Sequence, residues 1–120
     1  MSGREIGVLG ESVALGYLAR KGYSLVQRNY RTRYGEIDLI LRDGEALVFV
    51  EVKARRGKGF GDPLEAVTPG KQGRVRLMAE AYLAEKGPEF VDGFEEIRFD
   101  AVGILVGDGA HEVRHVEDAF

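Results

Sequence analysis

The chain has 120 residues, 44% of them hydrophobic and 31% charged, with no cysteine. That length supports one core and one domain over residues 1–120, and the missing cysteines exclude a disulfide framework, a thiol nucleophile and a thiolate metal site. A net charge of −3 argues against a polyanion ligand only until it is divided along the chain, because residues 1–76 carry +5 and residues 77–120 carry −8.

The opening "MSGREIGVLGES" has no apolar signal-type core, and no run approaches the roughly 18 apolar residues of a membrane span, so a cytoplasmic location is expected. Ile6, Leu9, Val13 and Tyr17 recur at helical spacing and predict a helix over residues 3–21, with Glu11 at the border of the stripe and Gly22 as its stop. The stretch "YSLVQRNYR" reads as a strand, followed by a turn over Thr32–Gly35. "EIDLILR" and "ALVFVEVKA" read as two strands of a hairpin turning at Asp43-Gly44, a pair suited to the positive φ angles of a type I′ turn.

Residues 55–67, rich in Gly and Arg, show no period and are expected as a loop. Thr68 as N-cap with Pro69 in the first turn predicts a second helix that runs to Lys86 and stops at Gly87-Pro88. Val75, Met78, Ala79 and Tyr82 form its apolar face. After an acidic connection, "IRFDAVGILV" reads as a fourth strand and "HEVRHV" as an edge strand. His111 and His115 lie four apart, which suits a metal only on a helix, so they are expected as surface histidines of that strand. The order gives an α/β fold of αβββαβ type, a mixed sheet flanked by helices, whose last helix crosses over to a strand parallel to the third.

With Asp43 and Gly44 as the turn, Glu36 faces Glu51 and Asp38 faces Phe49. Glu36, Asp38, Glu51 and Lys53 then share one face, with Ile37, Leu39, Val48, Val50 and Val52 on the other, and Asp38 and Glu51 become diagonal neighbours roughly 7 Å apart. Like charges facing each other on a sheet are destabilising unless a cation offsets them. Carboxylate oxygens are what Mg²⁺ or Mn²⁺ takes, the Val52 carbonyl between Glu51 and Lys53 is a further oxygen within reach, and Lys53 could orient a water or offset charge on a phosphate. The plainer account is an ion pair in which Lys53 neutralises Glu51.

These segments also carry a resemblance. "GEIDLI" followed by "FVEVKAR" resembles the PD-(D/E)xK signature of restriction-endonuclease-like nucleases and archaeal Holliday-junction resolvases. The phrases "GESVALGYLARKGY", "RNYR", "KQGRVRLMAEAYL" and "RFDAVGI" resemble the bacterial YraN-like family over nearly the whole chain. The resemblance implies a restriction-endonuclease-like core, Asp38 and Glu51 as metal ligands, Lys53 as the catalytic lysine and Glu11 as the first-helix acid that completes such sites. Glu36 and Ile37 stand where the nuclease pattern usually has proline, so Glu36 is either an outer-sphere carboxylate or a family marker.

Hairpin topology brings the loop and the second helix's N-terminus to the same end as the acids. Arg55, Arg56, Lys58, Lys71, Gln72 and Arg74 are therefore expected to gather there as a phosphate track, with Phe60 or Tyr34 available to stack on a base or sugar. Arg98 and Asp100 are expected as a strand ion pair or a buttress of the site. The expectation is a Mg²⁺- or Mn²⁺-dependent endonuclease acting on DNA, with branched or damaged DNA among its candidate substrates and a homodimer as one arrangement the resolvase resemblance allows. The rival expectation is a nucleic-acid-binding module or adaptor that keeps the fold and the cation site without turnover.

Overall fold

A computed structural model describes residues 1–57 and 62–120. Helix α1 covers Gly3–Arg20, and strands β1 (Ser24–Thr32), β2 (Gly35–Asp43) and β3 (Ala46–Arg56) follow as a meander. A 3₁₀ turn at Pro63–Ala66 leads to α2 (Pro69–Lys86) and the short α3 (Pro88–Val91), and β4 (Glu96–Val106) and β5 (Glu112–Val116) complete the chain. The five strands form one sheet in the order β1-β2-β3-β4-β5, antiparallel except for the parallel β3–β4 pair that α2 bridges. This is the mixed α/β architecture expected from the sequence, compatible with a restriction-endonuclease-like fold.

Local chemistry accounts for both long helices. Ser2 and Glu5 form a reciprocal capping box at the start of α1. Thr68 caps α2, and Gly87, at φ 88°, ends it where any side chain would be strained. Each helix covers one face of the sheet. Ala14 and Leu18 of α1 pack on Leu39, Leu41, Val48, Val50, Val102 and Ile104, while Val75, Met78, Ala79 and Tyr82 of α2 pack on Ile37, Ile40, Leu47, Phe49 and Phe99. The buried line of α1 runs through Gly10, Ala14 and Leu18, one position round from the predicted stripe. A Cβ on Gly10 would lie 2.4 Å from the Cβ of Ala54, so only glycine lets the helix sit this close to β3.

Three expectations about the strands are corrected. The hairpin turns at Gly44-Glu45, since Asp43 pairs with Ala46, and of those two turn residues only Gly44 has a positive φ, at 58°. Residues 55–67 are not all loop, because β3 extends through Arg56 and the 3₁₀ turn occupies Pro63–Ala66. Ile37 packs with Ile40 on the α2 side and not with Leu39, so strict alternation is interrupted at Asp38. The neighbouring strand is irregular at the same level: the register is the same at Arg28–Leu39 and Tyr30–Ile37, but Asp38 and Asn29 between them are unpaired, and Asn29 has a φ of 50°. A left-handed residue inside a strand bends it locally and breaks the ladder.

One of the two histidines differs from expectation, since His111 is exposed and the His115 side chain is not. His115 is buried, with Nε2 2.7 Å from Asp100 Oδ2. Asp100 is fully buried and takes a two-pronged contact from Arg98 at 2.9 and 3.1 Å, and Arg98 also reaches Asp43 at 3.1 Å and the Tyr23 hydroxyl at 2.6 Å. The ion pair of the "RFD" segment is thus the centre of a closed polar network on the α1 side of the sheet. Burial alone would raise the Asp100 value; its bonds to His115, Arg98 and the Asp118 N–H outweigh this and hold the carboxyl below its ordinary range.

Candidate active site

The β2–β3 ladder ends at Leu39–Val50. Continued, the register would set Asp38 directly opposite Glu51 and Glu36 opposite Lys53, each acid two residues from its expected partner. The strands part there instead, and Asp38 Oδ2 accepts a hydrogen bond of 2.8 Å from the Val52 N–H. A side-chain oxygen thus replaces the ladder carbonyl that Val52 would otherwise need.

Around this gap, Glu11 of α1, Glu36 and Asp38 each offer a carboxylate oxygen, and the three oxygens lie within 4.8 Å of one another. It is the only such group of metal-type ligands among the described residues. Asn29, which the sequence reading did not single out, ties two of them together. Its Nδ2 donates to Glu11 Oε1 at 2.8 Å and to Glu36 Oε1 at 2.9 Å, while Arg31 Nε holds the other Glu36 oxygen at 3.0 Å. The signal that could have found Asn29 was its residue type: asparagine is enriched at positive φ, and it stood in an otherwise strand-like run.

Glu51 and Lys53 stand beside this cluster, joined by an ion pair of 3.2 Å. Glu36, Glu51 and Lys53 line a cavity of about 180 Å³ together with Tyr34, Lys71 and Arg74, and Met78 forms part of its wall. Electrostatics in the cavity are strained. Burial, then the charges of Glu51 and Glu11, push the Asp38 carboxyl up to about 8, against the opposing pull of the Val52 N–H and Lys53. Burial alone would lower the Lys53 ammonium, and the adjacent Glu51 outweighs it to leave the value raised. Lys53, close beside it, pushes the Lys71 ammonium below its ordinary value.

The expected phosphate track is brought together in part. Lys71 and Arg74 face the carboxylate cavity. Gln72 does not: its Nε2 donates to the Val67 carbonyl at 3.2 Å, and it lines a separate cavity with Asp62 and Arg114, which are themselves an ion pair. Arg56 lies farther along β3, where its guanidinium is 3.9 Å from Asp108. Arg55 occupies the neighbouring strand position, paired with Leu105 of β4. Lys58 and Phe60 lie outside the described residues.

The donor set is made of carboxylate oxygens alone, the chemistry that Mg²⁺ and Mn²⁺ accept, so these residues fit such an ion. Glu36 joins Glu11 and Asp38 of the expected set, and Glu51, paired with Lys53, stands beside them. Among the described residues no helix is long and apolar enough to cross a membrane.

Comparison with known proteins places this site within a family. The model of uncharacterised protein family UPF0102 matches residues 10–104, a span that includes Glu11, Asn29, the hairpin acids and α2. The chain is 48% identical to a UPF0102 protein of Rhodococcus jostii over 96% of this chain and 95% of that one. It is 49% identical to a UPF0102 protein of Syntrophomonas wolfei over 98% of each, and 44% identical to one of Geobacter sulfurreducens over 96% of this chain and 88% of that one.

Proposed function

This chain belongs to the UPF0102 family, the YraN-like family that its sequence phrases resemble, and from its acid cluster we propose that it is a metal-dependent endonuclease hydrolysing phosphodiester bonds in DNA. The observation that carries this reading is the convergence of Glu11, Glu36 and Asp38 within 4.8 Å, beside a Glu51–Lys53 pair whose cavity is walled by Lys71 and Arg74. Acids alone would read as a cation site, and bases alone as a polyanion surface. Their lying side by side, with Glu36 and Glu51 in the same cavity as Lys71 and Arg74, suits a phosphate that is held by the bases and hydrolysed at the acids.

Glu11, Glu36, Asp38 and Glu51 would hold Mg²⁺ or Mn²⁺, which when bound supplies a Lewis acid for the phosphate and lowers the pKa of an attacking water. Lys53, kept protonated by Glu51, is the group able to orient that water or to offset charge growing on the phosphate. Lys71 and Arg74 would bind the phosphates flanking the scissile bond. Tyr34, about half exposed at the rim, offers a ring for a base or sugar.

The test is cleavage of labelled linear duplex, single strand, flap and four-way junction in Mg²⁺, Mn²⁺ and EDTA, with Asp38→Ala and Lys53→Ala beside the wild type. Metal-dependent cutting that both substitutions abolish supports the reading and ranks the substrates. Full cutting by Asp38→Ala would remove its basis.

A further inference from the structure

We infer that the strand entering this site is unpaired: Tyr34 is a stacking platform for one exposed base beside the scissile phosphate, and the substrate class is single-stranded DNA, the arms of flaps and branches included, in preference to continuous duplex. The inference rests on the proposed nuclease site and selects among the substrates that site could take.

The first observation is the turn that carries Tyr34. Thr32 of β1 pairs with Gly35 of β2, so Arg33 and Tyr34 are the whole connection. Two-residue hairpin turns favour Gly, Asn or Asp at positive φ. Neither Arg33 nor Tyr34 has a positive φ, which falls on Gly35 at 134° instead. Turn chemistry therefore does not account for an arginine and an aromatic ring at this tip, and loop tips held by a rigid sheet are where binding residues concentrate.

The second observation is how the ring is held. The Thr32 hydroxyl accepts from the Tyr34 N–H at 3.0 Å and donates to the Gly35 carbonyl at 3.3 Å, which fixes the turn from within. The Arg33 guanidinium lies over the Tyr34 ring, 4.8 Å from its centroid, and donates to its hydroxyl at 2.6 Å. The ring is held in one orientation with a cation beside it, and it is still 49% exposed. It lines the same cavity as Lys71, Arg74, Glu51 and Lys53. A nucleotide whose phosphate meets those bases thus has a preorganised ring and a positive charge available to its base.

The third observation is the recession of the site. Glu51 is 8% exposed and the Lys53 side chain 27%, so a phosphate has to enter the cavity to reach them. A single strand can turn one phosphate inward and rotate its base onto the rim. A continuous duplex keeps its bases paired and stacked, and offers a face to Tyr34 only by unstacking or bending, each of which costs free energy.

The test is fluorescence anisotropy with the full chain in Ca²⁺, using a short labelled oligothymidylate and a duplex of the same length, for wild type, Tyr34→Leu and Tyr34→Phe. Wild type should bind the single strand more tightly. Tyr34→Leu keeps an apolar side chain without a ring, so single-strand affinity should fall about tenfold, the loss of one stacked base, and duplex affinity should fall less. Tyr34→Phe keeps the ring and should retain most of the single-strand affinity. A second readout needs no variant to fold: 2-aminopurine placed within the single strand should lose fluorescence on binding wild type, as its base stacks. Tighter binding of wild type to duplex, equal losses on both DNAs in Tyr34→Leu, or unquenched 2-aminopurine overturns the inference, and metal-dependent cleavage in the same samples leaves the nuclease reading standing. A wild type that binds neither DNA overturns both. Ring-dependent single-strand binding without cleavage in any metal supports the unpaired-strand assignment and overturns only the nuclease reading.

Discussion

Asp38 accepts the Val52 N–H at 2.8 Å across the point where β2 and β3 separate, so one carboxylate both closes a gap in the sheet and stands among three other acids. Its first task is met by any oxygen acceptor, whereas the second needs charge.

Asp38→Asn separates these tasks. Burial, with the nearby Glu51 and Glu11, raises the folded-state value to about 8, above that of the unfolded chain. The folded protein therefore holds this proton more tightly, and stability falls as pH rises from about 4 towards 8. Asparagine keeps an acceptor for Val52 and cannot ionise. In EDTA at pH 8.5 the variant should be more stable than wild type by ~1 kcal/mol or more, about 4 °C in Tm, with a flatter pH profile and no cleavage. Equal pH profiles in thermal melts would contradict this.

Lys71 and Arg74 line the cavity as phosphate partners in this reading. Replacing either by alanine should weaken duplex binding without changing the preference among sequences. Each loss should lower the slope of log affinity against log salt by ~0.9, the value for one phosphate contact on B-DNA. Fluorescence anisotropy at several salt concentrations measures it, and an unchanged slope would remove both residues from the interface.

Gly10 sets the distance between α1 and β3. Gly10→Ala places a methyl 2.4 Å from the Ala54 Cβ, so the helix must retreat, at a cost of about 1–3 kcal/mol. Glu11 is the next residue on that helix, and its hold on Asn29 should loosen, weakening Mn²⁺ binding as well as lowering Tm. Ala54→Gly in the same chain vacates the contested space and should restore both. Rescue of Tm without rescue of Mn²⁺ binding would show that α1 does not position Glu11 in this way.

Asp100→Ala should be the most damaging single change away from the cavity. It strands Arg98 and His115 beside a buried void, and loss of one member of a buried charged network costs roughly 3–5 kcal/mol. In wild type the depressed Asp100 value means that its contribution is present above the ordinary carboxylate range and is lost only as pH falls below it. Denaturant melts should therefore show the gap between wild type and variant constant at neutral pH and closing in strong acid.

Much of this was readable from the chain because the signals were local. Thr68, Pro69 and Gly87 bound α2 at the residues that capping chemistry designates, and the crossover to a parallel strand followed from element order. The hairpin register was not readable, since Gly44 can supply positive φ at either central turn position, and moving the turn by one residue changes which acids face each other. Glu11, Glu36 and Asp38 were legible as candidates by residue type. Their meeting was not, because it depends on Asn29 joining Glu11 to Glu36 and on Gly10 admitting α1, and neither contact has a periodicity. His115 looked like a surface residue of an edge strand and is buried because Asp100 and the rings of Tyr17 and Tyr23 surround it.

The parallel β3–β4 pair has a consequence for the order of assembly. Every acid assigned to the site lies in α1 and the β1–β3 meander, whose antiparallel contacts close short loops. Lys71 and Arg74 belong to the crossover helix, and β4 can dock only after that long connection has formed. Non-local pairings of this kind are slow to form, so the acidic half of the cavity should be built before its basic wall. Core truncations in β2 should then slow folding, whereas matching truncations in β4 should chiefly speed unfolding, a contrast that stopped-flow kinetics resolves. On this view the nascent molecule passes through a stage in which mutually repelling acids are assembled without their counter-charges, and divalent cations should act on its folding rate as well as on its final stability.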